Sequence, residues 1–461
     1  MLRGHILPFI TDYLEMLSKS IAELDGSYRL TRTQQCWLGF CLAGILMTNS
    51  VCWEKFSRAG FGSWLGKSLS WMFRNSKINW EKLFMYSIKV ILSKYGQTEG
   101  NIEIDDTERG RSKNAKKIYG LGKQKDKKSG GYILGQSIVF AVLVTKNISI
   151  PIGFDFYKMD PVLKSWQEQD AVLRKQGVKK KDRPEEPVRD SLYPTKNTIA
   201  LQILGKFKAD FSDFKVKAVK ADALYGTAEF MDGVAALYPK AQIISQIRSN
   251  QKIVRGDKEE VVSEYFSTQK AKKGFLVIRG GERISIEYMS IQAKVKAHDK
   301  KRLIIALKYE GEEQFRYIIA KDMTWRVQDV LECFTLRWLV EVFFQDWKQY
   351  EGWGQLTKHV GEEGSRQSLI LSLLFDHCLL SHPMQSARIK DNLPLYTVGS
   401  LRNRLSIQSL LHIFQYILEQ PNPKAHLEKL VENIDKVYSL RVSSKHMSGR
   451  SPTWESSTST A

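Results

Sequence analysis

The chain has 461 residues, 43% of them hydrophobic, enough for a sizeable core and for more than one domain. Seventy Lys and Arg stand against fifty Asp and Glu, and the resulting net charge of +20 suits a polyanionic partner. Five cysteines without a CxxC pair exclude a disulfide framework or zinc knuckle, and the longest apolar run, "CWLGFCLAGILM" at 36–47, is too short to span a bilayer.

In chain order, residues 1–97 read as a helical domain. Tyr13, Leu14, Leu17, Ile21 and Leu24 recur at three and four, as do the apolar residues from Trp80 to Tyr95. "MLRGHILPF" lacks the apolar stretch and cleavage site of a signal peptide, so the expectation is a soluble, cytoplasmic protein. Trp37, Trp53, Trp64, Trp71 and Trp80 are expected in the core rather than stacked on bases.

From 101 the period changes to two. "NIEIDDTERG" alternates into a strand expected to stop on its acids. Neighbouring strand residues point to opposite faces, so only one of Asp105 and Asp106 meets a site; Asp106 shares its face with Ile102 and Ile104. The competing reading is a turn closed by an Asx hydrogen bond. The segment "RGRSKNAKKIYGLGKQKDKKSGG" carries Arg109, Arg111, Lys113, Lys116, Lys117, Lys123, Lys125, Lys127 and Lys128 against Asp126 alone. It reads as a flexible loop that contacts a nucleic-acid backbone, although charge runs are commonly only solvated surface.

"YILGQSIVFAVLV" (132–144) and "ISIPIGFDFY" (148–157) predict an antiparallel pair, and "GVKKKDRPEEPVRD" (177–190) a linker. A helix near 196–208, a strand and turn at 214–226, a helix at 227–238 and a strand at 241–247 follow. This α/β order is compatible with an RNase H-like sheet. Asp222 ends a strand before a turn, where it either converges with other acids or caps the next helix. Arg248 lies just past a strand end, as a backbone contact or as solvated loop. A β-rich insertion is expected at 250–322, with helices at 328–382 and about 400–440 and a disordered Ser/Thr-rich tail at 442–461.

Ten of the sixteen residues from Cys333 to Lys348 are apolar, yet Phe334, Arg337, Glu341, Gln345 and Lys348 share one helical stripe. A helix apolar over most of its surface buries most of itself, so the charged strip is expected to line a cleft. The plainer reading is a solvated stripe with an i,i+4 pair between Arg337 and Glu341. Asp106, Asp222 and Glu341 together, on two strand ends and a helix, are the donors that two-metal phosphoryl transfer requires. Phosphates entering that cleft would pair with Arg337 and Lys348.

The helix resembles the signature Y-x2-R-x3-E-x6-K of bacterial insertion-sequence DDE transposases of the cut-and-paste insertion-sequence-four family: Arg337, Glu341 and Lys348 match, with Phe334 at the Tyr position. "IDDT" resembles the family's first-acid strand and "ADALYG" its second, where Leu224 replaces a small residue. The resemblance implies Asp106, Asp222 and Glu341 as ligands of two Mg²⁺, for which Mn²⁺ can substitute. It implies an RNase H-like catalytic domain (98–249 and 323–385) interrupted by the β-strand insertion, a helical N-terminal domain that binds terminal inverted repeats, and a helical C-terminal region (386–441). It also implies a dimer on paired ends of double-stranded DNA, nicking, hairpin formation and opening, and strand transfer into target DNA, inside a bacterial cell at the nucleoid. The alternatives are a repeat-binding protein that does not cut, and an RNase H-like nuclease acting on branched DNA.

Overall fold

Five helices lead into the sheet: α1 (Pro8–Leu24), α2 (Arg32–Thr48), α3 (Trp53–Ala59), α4 (Gly66–Asn75) and α5 (Trp80–Lys94). The computed structural model describes residues 7–26, 28–111, 115–125, 130–278, 281–355 and 359–438. α2 opens on a reciprocal capping box between Thr31 and Gln34 and is buried from Trp37 to Leu46, so the apolar run is a core helix. No single helix among the described residues is long and apolar enough to cross a membrane. Trp37 packs against Trp53, Phe73 and Trp80, as expected of core aromatics, whereas Trp71 is 56% exposed. All five cysteines are free; Cys41 and Cys378 are buried and Cys36 is exposed.

The central segment begins with β1 (Glu99–Gly110), β2 (Leu121–Lys125), β3 (Tyr132–Val144) and β4 (Ser149–Tyr157). β1 does not stop on its acids: it runs on to Gly110 because β3 pairs with it antiparallel over that whole length. Part of the expected basic loop is strand as well, since Leu121–Lys125 pair with β3. β3 is buried continuously from Gly135 to Val144, the apolar run of a strand covered on both faces. α6 (Pro161–Lys175) follows, with Asp160 as its N-cap and Pro161 in its first turn. The expected linker is instead tied down: Arg183 pairs with Asp170 at 2.6 Å, Trp166 donates to the Pro184 carbonyl, and the Asp190 amide donates to Asp160.

α7 (Lys196–Asp210), β5 (Lys215–Ala221), α8 (Ala228–Leu237) and β6 (Gln242–Ile247) complete the αβ portion. Then come β7 (Lys252–Arg255), β8 (Lys258–Val261), α9 (Val262–Ser267), β9 (Lys272–Val277), β10 (Arg283–Val295), β11 (Lys300–Tyr309) and β12 (Arg316–Ala320). These strands fall within the stretch 250–322 where β structure is expected, and among the described residues they form no separate sheet. β12 pairs antiparallel with β6, so one twelve-stranded sheet among the described residues runs β2-β3-β1-β5-β6-β12-β11-β10-β7-β8, with β4 on β3 and β9 on β10. β1, β5 and β6 are parallel neighbours at its centre.

The chain closes with α10 (Val327–Thr335), a 3-10 turn at Leu336–Trp338, α11 (Leu339–Tyr350), α12 (Gly361–Leu380), α13 (Pro383–Lys390), α14 (Val398–Leu418) and α15 (Pro423–Val437). The helix expected through 333–350 is therefore broken at Arg337. α10 packs Val330, Leu331 and Phe334 onto Ile305, Leu307 and Ile318 of the insertion strands. α11 turns Phe343, Phe344 and Trp347 onto Phe140 of β3. Two separate cores thus claim the two halves of one amphipathic run. The larger core joins the N-terminal helices, β1, β3–β6 and α12. The expected tail at 442–461 lies outside the described residues.

Candidate active site

The register of the parallel pair β1–β5 matches Glu103 with Lys220 and Ile104 with Ala221. Continued by one residue, it sets Asp105 beside Asp222, on strands separated by about 4.8 Å. Side chains two apart share a face, and that face of β1 meets the helices that follow the sheet. Asp105 accepts from Arg337 at 3.3 Å, and the Thr107 hydroxyl accepts from Lys348.

Asp106, the expected first acid, lies on the opposite face of β1, where its charge still raises Asp222. It pairs with Lys196 in the first turn of α7 at 2.5 Å, and its amide donates to Asp105 Oδ1 at 2.8 Å. Asp222 caps the 3-10 turn Ala223–Tyr225 by accepting from the Leu224 amide at 2.9 Å, and its own carbonyl accepts from Ser245. The two readings of Asp222 are therefore compatible, since it caps a turn and also stands beside Asp105. Glu341 lies in the first turn of α11, 60% exposed, and accepts from Arg337 at 3.0 Å.

Arg337 thus bridges Asp105 and Glu341. The terminal nitrogens of one guanidinium are about 2.3 Å apart, so the bonded oxygens of Asp105 and Glu341 are separated by no more than about 9 Å. Burial, then the charge of Asp222, pushes the Asp105 carboxyl up to about 7. Burial also raises Asp222, helped by Asp106, while the Leu224 amide and then Arg337 and Lys196 hold it down. Beneath them Tyr225 is fully buried, and its hydroxyl has no hydrogen-bond partner among the described residues.

Crowded carboxylates that raise one another's pKa are the hard oxygen donors that Mg²⁺ or Mn²⁺ takes, so the donor chemistry fits a divalent ion. Among the described residues, however, no three His, Cys, Asp or Glu side chains stand close enough to hold one together. Arg337 supplies the positive charge between Asp105 and Glu341.

The expected phosphate contacts divide. Lys348 is turned inward, donating to Thr107 and to the Glu108 carbonyl at 3.1 Å; burial, then Arg109, lowers its pKa to about 8. Arg111 likewise folds over the Trp353 ring at 4.9 Å and donates to Gln136. Lys116 and Lys117 are exposed, on a segment anchored to the start of α12 by the bond from Gly361 N to Lys117 O. Arg248 is exposed just past β6, whose end lies with that of β5 because the strands are parallel. Lys113 lies outside the described residues. Phe334 is in the α10 core, not on the charged strip. Lys196 escaped sequence reasoning altogether: a single lysine after "SLYPT" carries no signal, and only the fold brings it to Asp106.

A mixed sheet with parallel central strands, two acids side by side at their ends and a third presented by a following helix define an RNase H-like, DDE-type enzyme. Residues 28–274 match the family described as DDE superfamily endonuclease, and the chain belongs to it. That span contains Asp105, Asp106 and Asp222; Glu341 lies beyond it. No curated protein matches the chain. Among solved structures it is similar to a piggyBac transposase synaptic complex with hairpin DNA, seen by cryo-EM, with 11% identity, a TM-score of 0.41, and coverage of 97% of this chain and 89% of that one.

Proposed function

We propose that the protein is the transposase of an insertion sequence, of the branch marked by Arg337, Glu341 and Lys348, with Asp105, Asp222 and Glu341 as its acid set. The observation that carries the reading is Arg337 joining Asp105 to Glu341 while the β1–β5 register sets Asp105 beside Asp222. When bound, a pair of divalent ions supplies activation of the attacking oxygen and stabilisation of the leaving one. The three carboxylates would hold them, with Asp106 kept to the side by Lys196. Arg337, released from its acids, and the exposed Arg248, Lys116 and Lys117 would take backbone phosphates. The substrates are the element's terminal inverted repeats and target DNA, held by a dimer in the bacterial cytoplasm. The route is nicking, a hairpin end, its opening and strand transfer.

A second reading, a repeat-binding protein that does not cut, draws on the guanidinium between the acids and on the absence of a closed three-acid group among the described residues. A plasmid-excision assay with Mg²⁺ or Mn²⁺ separates the two. Excision by the natural protein, lost in Glu341→Ala and Asp222→Ala, supports the transposase. Repeat binding without any strand cleavage supports the second reading, and cleavage that survives Glu341→Ala removes that residue from the mechanism.

A further inference from the structure

Beneath the acids lies an ion pair that the chemistry above leaves unused. Glu103 of β1 and Lys220 of β5 face each other across the parallel register, both wholly inaccessible, with Nζ 2.6 Å from Oε1. Each lies two residues before an aspartate, Asp105 or Asp222, and so on the same face of the sheet. Lys220 also donates to the Cys333 carbonyl at 2.8 Å. Cys333 is in the last turn of α10, directly before the 3-10 turn that carries Arg337.

A helix ends on carbonyls without intrahelical partners, where a positive charge is favourable. The last turn of α10 contains no basic residue of its own, so the cation there comes from the sheet. Glu103 has Lys220 as its ion-pair partner at 2.6 Å, and neither of its carboxylate oxygens makes a well-aligned hydrogen bond among the described residues. Stability alone does not call for buried charges here, because apolar residues of similar volume commonly serve a core as well or better. Apolar residues could not, however, grip a helix-end carbonyl.

We propose that Lys220, charged and oriented by Glu103, is a positioning residue that pins the α10–α11 junction to the strands of the two aspartates. Arg337 and Glu341 are thereby held in register with Asp105 and Asp222. The inference rests on the DDE reading of this site for its catalytic consequence, though the tether itself is a contact between β5 and α10.

The test is the double substitution Glu103→Leu with Lys220→Met, which removes both charges and leaves no orphan ion. Hydrogen–deuterium exchange should accelerate about tenfold or more over residues 334–341 and stay unchanged in β1 and β5. In the Mg²⁺-dependent cleavage assay, kcat should fall between about ten- and a hundredfold with KM for DNA unchanged, as expected when reacting groups are displaced rather than lost. Unchanged exchange at 334–341, or cleavage at the natural rate, overturns the proposal. If the natural protein cuts no DNA, the transposase reading fails, and the exchange measurement still decides the tether. Should the double variant not fold, Glu103→Gln with Lys220→Met takes its place, which also removes both charges and the donor to Cys333, with the same two readouts deciding.

Discussion

At the scale of single residues, Asp105 and Asp106 show what alternation can and cannot tell. The period of two separates the neighbours onto opposite faces, but it does not say which face a helix from far along the chain will cover. That choice follows from the pairing of Glu103 with Lys220, which aligns Asp105 with Asp222, and from Lys196 neutralising Asp106 on the far side. Asp105→Asn should therefore lower the cleavage rate by roughly 10³-fold, and Asp106→Asn by no more than about tenfold, in single-turnover assays with Mg²⁺. His377 permits a second measurement. Its Nε2 faces the Pro151 carbonyl, which can only accept, so Nε2 carries the proton; Nδ1 then accepts from Ser87, which in turn receives from Tyr13. Burial lowers its pKa to about 3. The unfolded chain thus binds the extra proton first, so this contribution to stability is whole above about pH 6.5 and declines as pH falls toward 3, by as much as about 5 kcal/mol. His377→Gln should flatten that part of the difference in urea midpoint between pH 7 and pH 4, at a neutral-pH penalty of about 1–3 kcal/mol.

At the scale of elements, the apolar spacing revealed most helices and strands but not the break at Leu336–Trp338. No Gly or Pro marks it, and the amphipathic pattern runs through without a fault. The interruption comes from packing: Phe334 belongs to the core under the insertion strands, and Trp347 to the other core, stacked on Trp353 at 4.7 Å and donating to Ser372. Trp347→Ala should accordingly cost about 3–5 kcal/mol by denaturant titration. α14 supplies a contrast within one helix, since Leu401 is buried on the inner side while Phe414 is 60% exposed. Leu401→Ala is expected to lower stability by about 2–4 kcal/mol, whereas Phe414→Ser should stay within about 0.5 kcal/mol of the natural protein.

At the scale of the whole molecule, the insertion strands were legible as strands, and their role was not. Periodicity says that a segment alternates; it is silent about the edge on which the segment docks. Because β12 hydrogen-bonds to β6, the strands from β7 to β12 extend the sheet that carries the acids. Calorimetry should then show one cooperative transition covering both halves of the sheet, and two resolved transitions would contradict that continuity. The same seam shapes synthesis. As the polypeptide leaves the ribosome, β6 is in place long before its neighbour, which starts only at Arg316. Its hydrogen-bonding flank stays open throughout that interval, a template for stray strands that a nascent chain must shield or outrun. Glu341 emerges later still, so a prematurely terminated product would hold both aspartates and yet lack the residue that Arg337 joins to Asp105.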